Sequence, residues 1–273
     1  MYSGSTISAY SGRLLGAHQK IDRLAHKKLN RLIPNSQFPG VKAILHFEGQ
    51  NGPDAIKRKS PAKDEPWHYM QPNNPQDTQL VNLIENHYKR LVKALRAEDK
   101  IRASFEAAWL SHAIVDGLTP AHHYPYEEKL VELRCGRGID DRTSIGKKLI
   151  MPGVDISHLI QNNWRMWGPK GLFTTHAAFE AGVAILIAPA RLCRWSLTPE
   201  NIQNFKDQSI AQWFRSLAQD VANLQLYNAF YESGWTIPLA RRIRQQLTPT
   251  LVQAVALAWY GAAKEAGLVS EVA

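Results

Sequence analysis

The sequence predicts an all-α protein, built as a bundle of several helices. Apolar residues recur at intervals of three and four over six segments, the spacing that places them on one face of a helix. No comparable set of alternating apolar and polar residues indicates strands. The six segments are residues 24–33, 80–95, 101–115, 173–192, 210–230 and 251–263.

Residues at the ends of these segments agree with the helical periodicity. The Thr-Pro pairs Thr198-Pro199 and Thr248-Pro249 are typical helix starts, because proline is tolerated in the first turn. Gly117 followed by Pro120 is a typical helix end and should terminate the segment that begins near residue 101.

Two long stretches separate the helical segments. Residues 34–74 and 118–170 hold many of the proline, glycine and asparagine residues and show little clean periodicity. Loops of that length inside a compact domain are usually functional, so we expect them to surround a site. Because no internal repeat, low-complexity tract or convincing linker divides the chain, residues 1–273 are predicted to form a single domain.

The chain carries a formal charge of +9 and has a pI near 9.5. This charge favours phosphate-bearing partners such as nucleic acid, anionic lipid or small phosphoesters, and a basic solvated surface accounts for it equally well. The N-terminus lacks the pattern of a secretory signal, and the most apolar run, residues 181–190, is too short to cross a bilayer. We therefore expect a cytoplasmic protein without a transmembrane segment, with export by another route left open.

Two histidine–carboxylate pairs have the spacing of ligands that share a helix face. His112 and Asp116 are four residues apart, as are His176 and Glu180, so each pair is separated by about 6 Å along its helix. One such pair alone is more often an exposed neighbour pair. Here the flanking residues are alanine and other apolar types, which places both pairs near a core where ionisable groups need partners.

Cysteine usage restricts the chemistry of any metal site. Cys135 and Cys193 form no C-x-x-C motif, which excludes a thiolate zinc site and a disulfide framework. The ligands must therefore be nitrogen and oxygen atoms, and histidine with carboxylate suits zinc.

The order of these residues points to a known family. The pattern His-x3-Asp-x5-His of His112, Asp116 and His122, followed by the His-x3-Glu of His176 and Glu180, resembles the superfamily of zinc-dependent phospholipases C and single-strand nucleases. The alternative for His122 is that it forms a surface pair with His123 and binds no metal.

The resemblance extends upstream through His18, Asp54 and His68. An early histidine, an aspartate in a Gly-Pro-Asp loop and a histidine fourteen residues later stand in the family's order. The chain looks most like the bacterial zinc-dependent phospholipase C branch that also resembles the N-terminal domain of glycosylphosphatidylinositol phospholipase D. The resemblance covers about residues 16–181, and residues 191–273 are expected to complete the helical bundle.

The resemblance implies a multinuclear zinc site inside the bundle, with two zinc ions and room for a third. The first zinc would be held by Asp54, His68, His112 and Asp116. The second would be held by His122, His176 and Glu180. His18 and a bridging Asp116 would serve the third.

The third zinc is where this chain departs from the family. Secreted bacterial members complete that site with an N-terminal tryptophan, whereas this chain begins Met1-Tyr2-Ser3. Either the third zinc is absent or another group replaces the tryptophan. His46 is one candidate for that group. The alternative for His46 is a loop histidine that is hydrogen-bonded to the backbone and binds no metal. His26 is a rival to His18 on the same helix. The remaining histidines are predicted to be structural or surface residues: His87, His123 and His158.

This ligand set favours phosphodiester hydrolysis. Zinc ions a few ångströms apart neutralise a phosphodiester and lower the pKa of a bridging water to near ~7. The carboxylates Asp54, Asp116 and Glu180 do not cancel the metal charge, so the site should attract an anionic substrate. Asp54 is expected to orient or deprotonate the attacking water as general base.

Three functions fit these observations. The Gly-Pro-Asp branch favours a phospholipase C that acts on a phospholipid headgroup, with peripheral membrane contact; the alternatives are a single-strand nuclease and a non-catalytic zinc-stabilised interaction domain. Aromatic residues of the two long loops would either stack bases or contact lipid. They are Trp67, Tyr69, Tyr124, Tyr126, Trp164 and Trp167.

Overall fold

The computed structural model describes residues 16–33, 37–49, 51–56, 60–191 and 197–269. Over these ranges every regular element is helical, which confirms the predicted all-α class. The first helices are α1 (Ala17–Leu32), α2 (Val41–Glu48), α3 (Pro53–Ile56), α4 (Gln79–Arg96) and α5 (Lys100–Gly117). They are followed by α6 (Tyr126–Leu133), α7 (Ile145–Leu149), α8 (Ile156–Trp167) and α9 (Leu172–Ile187). The last are α10 (Pro199–Lys206), α11 (Ile210–Asn223), α12 (Leu226–Ser233), α13 (Ile237–Arg242) and α14 (Thr248–Glu265).

Helix α14 supplies much of the core from the end of the chain. It packs against α1, α4 and α5, and most of its residues are buried. Trp259 is fully buried, and its Nε1–H donates a hydrogen bond to the Ala107 carbonyl of α5 at 3.0 Å. A buried indole needs such a partner for its polar atom. Helix α14 therefore connects the described part of the last third of the chain to α1, α4 and α5.

The C-terminal end of α5 is held close to two other helices. A Cβ atom at Gly117 would lie 2.5 Å from the Phe214 ring of α11 and 2.7 Å from Leu80 of α4. Only glycine permits this approach, because any side chain would collide with both residues. The close packing fixes the last turn of α5, which carries Asp116.

The two stretches that lack clean periodicity contain more helix than the sequence predicts. Residues 34–74 include α2 and α3, and residues 118–170 include α6, α7 and α8. Most of these helices are of eight residues or fewer, too short to show several turns of apolar repeat. Helix α8 is longer and does repeat apolar residues at intervals of three and four, which the sequence prediction missed, and most of these side chains are exposed.

One predicted helix is divided. Apolar periodicity runs through residues 210–230, but α11 ends at Asn223 and α12 begins at Leu226. Gln225 has φ 52°, in the left-handed region, which breaks the helical backbone between them. None of the helices in the described ranges is both long and apolar enough to cross a bilayer.

Candidate metal centre

The two predicted helical pairs are formed by α5 and α9. On α5, the Nε2 atom of His112 lies 3.2 Å from Asp116 Oδ2. On α9, the Nε2 atom of His176 lies 3.2 Å from Glu180 Oε1. His112, Asp116 and His176 are buried, and Glu180 is half-buried. Each pair therefore converges on one point, as the spacing of four residues requires.

His122 joins the α9 pair. Its Nε2 atom lies 2.8 Å from Glu180 Oε1, and its ring is parallel to that of His176, with centroids 5.2 Å apart. The 3₁₀ turn Pro120–His123 places it there, and the Thr119 hydroxyl fixes the start of that turn by donating to the Val115 carbonyl at 2.7 Å. Ligand atoms of His122, His176 and Glu180 all lie within 4.8 Å of one another. The three residues form one candidate metal site.

His18, in the first turn of α1, joins the α5 pair. Its ring stacks on His112, with centroids 4.0 Å apart and an interplanar angle of 5°. His18 Nε2 lies 3.2 Å from Asp116 Oδ1, while His112 Nε2 faces the other oxygen of the same carboxylate. Both imidazoles therefore point their Nε2 atoms at Asp116.

Asp116 lies between a first group, His18 and His112, and a second group, His122, His176 and Glu180. Besides its contacts with His18 and His112, its Oδ1 atom is 3.7 Å from Nδ1 of His122. One carboxylate from α5 thus faces imidazoles on three elements of the fold: α1, α5 and the 3₁₀ turn. The structure thus brings Asp116 together with these three histidines, and its bridging of two metal ions stays a prediction.

Asp54 and His68 approach the site from the first long stretch. Asp54, in the first turn of α3, places Oδ1 3.9 Å from His112 Nε2. His68 lies beside the second group, with its ring centroid 5.3 Å from that of His122. Its Nδ1–H donates to the Pro66 carbonyl at 2.9 Å, which places the acceptor lone pair of the imidazole on Nε2. All eight predicted ligands are thereby found at one end of α5, with His68 nearer to His122 than the predicted grouping suggests.

Glu48 is the residue that the sequence prediction missed. It is fully buried at the end of α2, and its Oε1 atom lies 2.9 Å from His112 Nδ1 and 3.8 Å from His18 Nδ1. The two stacked rings therefore stand between two carboxylates, with Glu48 on the Nδ1 side and Asp116 on the Nε2 side. Ligand atoms of His18, Glu48 and His112 lie within 4.8 Å of one another, so these three residues form the other candidate metal group. Because Glu48 faces Nδ1 of both rings, it can also orient them from outside when a metal binds on the Nε2 side.

The histidines considered as rivals have other partners. His46 is exposed and accepts a hydrogen bond from Nδ2 of Asn51, with 3.1 Å between the nitrogens. The buried residue of α2 that faces the site is Glu48, two positions further on. Nε2–H of His26 donates to the Pro39 carbonyl at 3.0 Å. His87 Nδ1 lies 2.5 Å from Oε2 of the buried Glu106. These contacts are structural and leave His18 as the ligand candidate of α1.

Zinc suits this donor set. Every candidate ligand atom is an imidazole nitrogen or a carboxylate oxygen, the atoms that bind zinc at sites without cysteine. Buried polar atoms in the described part of the chain remain without a hydrogen-bond partner, including Nδ1 of His176 and Oε2 of Glu48. Burial alone would lower the pKa of His112, but Glu48 and Asp116 outweigh it and hold that pKa well above its ordinary value. Zinc would therefore compete with a proton at His112, and its uptake should weaken as the pH falls.

No family model and no curated protein matches this chain. The resemblance to the zinc-dependent phospholipases C therefore rests on the order and spacing of the ligands. The geometry of the two groups stands independently of that resemblance.

Changing Glu48 is expected to weaken metal binding without removing a ligand. In Glu48→Gln the amide oxygen still accepts from His112 Nδ1–H but carries no charge, and in Glu48→Ala the acceptor is lost. We expect zinc affinity, measured by competition with a chelator, to fall about tenfold in the first and up to about 100-fold in the second. A loss of one zinc equivalent, with the remaining sites unchanged, would instead make Glu48 a ligand.

His123 offers a pH test outside the ligand set. Its Nε2–H donates to the Gly117 carbonyl at 2.8 Å, and burial lowers the pKa of His123 to about 4, compared with 6.5 for an ordinary histidine. Between these values the unfolded state binds more protons, so the free energy of unfolding falls as the pH drops.

His123→Gln keeps a donor for Gly117 and removes this titration. We expect it to keep its zinc content and to lose less stability than the wild type between about pH 7 and about pH 5, measured by thermal unfolding. Equal losses in the two proteins would contradict the assignment. Loss of zinc from the variant would show that the ligand register is wrong.

Proposed function

We propose that this protein is a zinc-dependent phosphodiester hydrolase of the phospholipase C type. The observation that carries the proposal is the position of Asp116, whose carboxylate faces His18, His112 and His122 at 3.2 to 3.7 Å. A single carboxylate shared by two adjacent donor groups suits a multinuclear centre. A structural zinc site is normally closed by four protein ligands and needs no such sharing.

Different side chains would hold the zinc, orient its ligands and accept a proton in such a reaction. Zinc, when bound, supplies positive charge for an anionic phosphodiester and makes water acidic enough to serve as a nucleophile near neutral pH. His18 and His112 are held in place by stacking and by Glu48 on their Nδ1 side. Asp54 stands at the edge of the first group and is our candidate for the general base that accepts the proton of the attacking water.

The aromatic residues near the second group favour lipid over nucleic acid. Tyr69 and Tyr126 stack on each other with centroids 5.3 Å apart and 7° between the planes, and Tyr126 is buried. Both rings lie near His176, at 6.4 Å and 5.1 Å. A platform for single-stranded nucleic acid needs accessible ring faces, and here these two rings are occupied with each other. They form a wall of the site, which supports a phospholipid substrate.

The test compares substrates on one zinc-loaded preparation. Phosphatidylcholine, phosphatidylinositol, single-stranded DNA and the soluble diester bis(4-nitrophenyl) phosphate would be assayed side by side, with Asp116→Ala as the inactive control. Release of a phosphorylated headgroup by the wild type alone is the expected result. Release of 5′ nucleotides without headgroup release would make the protein a nuclease. A full zinc complement with no activity on any diester would leave zinc a structural role.

A further inference from the structure

The apolar residues exposed to solvent are concentrated in one part of the described chain. Ten of its fifteen exposed large apolar side chains lie between positions 145 and 173. The most accessible of them include Val154, which is 79% exposed, Ile156 at 78% and Trp164 at 68%. Singly exposed apolar residues are ordinary, but a cluster on one surface marks an interaction site.

Helix α8 arranges these residues as a stripe. Ile156, Ile160, Trp164 and Trp167 are spaced by three or four residues and are all exposed, so they share one face. The opposite face carries Met166, which is buried with Met151 in a second small core. The helix thus turns its apolar stripe outward. We refer to the exposed apolar residues of α7, α8 and their connection as the α8 face.

The orientation of α8 is held by specific contacts. Asn162 Nδ2 donates to the Pro152 carbonyl at 2.9 Å. Asn163 accepts from the Met151 N–H at 3.0 Å and donates to the Met151 carbonyl at 2.8 Å. Trp167 Nε1–H donates to the Leu149 carbonyl at 2.8 Å. These bonds tie the helix to the segment that precedes it, so the outward stripe is a fixed feature of the fold.

The charges around the stripe are mostly basic. Between positions 145 and 173 there are four lysine or arginine residues and one acidic residue, Asp155. Two of the four basic residues are already paired, Lys147 with Asp141 at 3.8 Å and Lys148 with Glu65 at 2.5 Å. Asp155 is engaged as the N-cap of α8, where it accepts from the His158 N–H at 2.7 Å. Arg165 and Lys170 are exposed beside the stripe. Two copies of this face would bring like charges together, which disfavours a second copy as the occupant.

The α8 face adjoins the metal centre. The Thr174 hydroxyl of α9 donates to the Trp167 carbonyl at 2.9 Å, and the rings of Trp167 and Phe173 are 4.7 Å apart. Helix α9 packs on α8 and carries His176 two residues after Thr174. A surface bound through α8 would therefore lie next to the residues of the second donor group.

We propose that the α8 face docks on the surface of an anionic phospholipid bilayer. Exposed tryptophans, aliphatic residues and flanking basic charges are the features of a helix that lies in the membrane interface, where indole rings favour the headgroup level. The docking rests on this surface alone. Its role in presenting lipid to the metal centre rests on the proposed function.

Vesicle sedimentation tests the docking. The wild type is expected to bind vesicles of phosphatidylcholine mixed with phosphatidylserine and to bind those of phosphatidylcholine alone more weakly. The double variant Ile156→Asp with Ile160→Asp should bind the anionic vesicles about tenfold or more weakly, because two apolar side chains no longer enter the interface. Ile101→Asp, at an equally exposed isoleucine of α5, is the matched control and should bind like the wild type.

The outcomes separate the docking from the catalysis. Hydrolysis of the soluble diester should be equal in the wild type and the double variant, while hydrolysis of vesicle lipid falls with binding. Failure of the wild type to bind, or equal binding by the double variant, would overturn the docking. So would a wild-type dimer in sedimentation velocity that the double variant abolishes, since a second copy would then occupy the face. Vesicle binding without hydrolysis of any diester would leave the docking intact and remove the proposed function.

Discussion

Replacing Asp116 with alanine is expected to remove metal from both donor groups and to abolish activity. Burial alone would raise the pKa of Asp116, but that pKa lies well below its ordinary value, and the imidazoles of His112 and His122 contribute to the lowering. Its contacts also join His18, His112 and His122. Its loss leaves these imidazoles buried without their shared counter-charge.

The expected loss of zinc affinity exceeds that caused by removing a residue that contacts a ligand without binding the metal. Loss of an outer-shell partner costs about 10–100-fold in metal affinity or activity, and a shared ligand should cost more than about 100-fold. Zinc content after dialysis, measured by elemental analysis, and hydrolysis of bis(4-nitrophenyl) phosphate would be recorded on the same samples. Asp220→Asn, at an exposed aspartate of α11, is the matched control and should retain both zinc and activity.

A second variant distinguishes the two groups. Glu180→Gln is expected to weaken chiefly the second group, because Glu180 contacts His122 at 2.8 Å and His176 at 3.2 Å. We expect it to lose fewer zinc equivalents than Asp116→Ala. If both variants lose the same amount, Asp116 does not join the groups. If Asp116→Ala keeps a full zinc complement, the proposed centre is wrong.

The residues that the sequence predicted are those whose positions follow from local geometry. His112 with Asp116, and His176 with Glu180, are fixed by the helical repeat, and the structure forms both pairs at 3.2 Å. The helical class was predictable for the same reason, because apolar periodicity is a local property of the chain. The ligands that lie outside these helices required the family order, since no spacing rule relates His18 or Asp54 to α5.

Glu48 shows what local patterns miss. It touches His112 from 64 positions away, because α2 packs against α5 and α1. A glutamate in the last turn of a helix is unfavourable for the helix dipole, and that misplacement was a weak signal that the residue has another purpose. The α8 face could not be predicted for a related reason, because apolar spacing of three and four does not show whether the stripe will face the core or solvent.

Removing the metal is expected to lower the melting temperature of the whole bundle. The ligand candidates come from α1, α3, α5, α9, the turn Pro120–His123 and the loop that carries His68, so a bound metal connects elements far apart in sequence. A metal that binds only the native state stabilises it by about 2.7 kcal/mol when present at 100 times its Kd. For a chain of this size that corresponds to a shift of roughly 5 to 10 °C.

The loss should come from the missing links between these elements. Without metal, Asp116 stays buried and Glu180 half-buried against imidazoles that lower their pKa, so these contacts keep part of the site in place. Calorimetry before and after dialysis against a chelator, followed by reloading with zinc, measures the effect. The shift should be reversible in the wild type, preserved in His123→Gln and nearly absent in Asp116→Ala, which has little metal to lose. A transition that stays unchanged after confirmed removal of zinc would mean that the helices hold the site together without it.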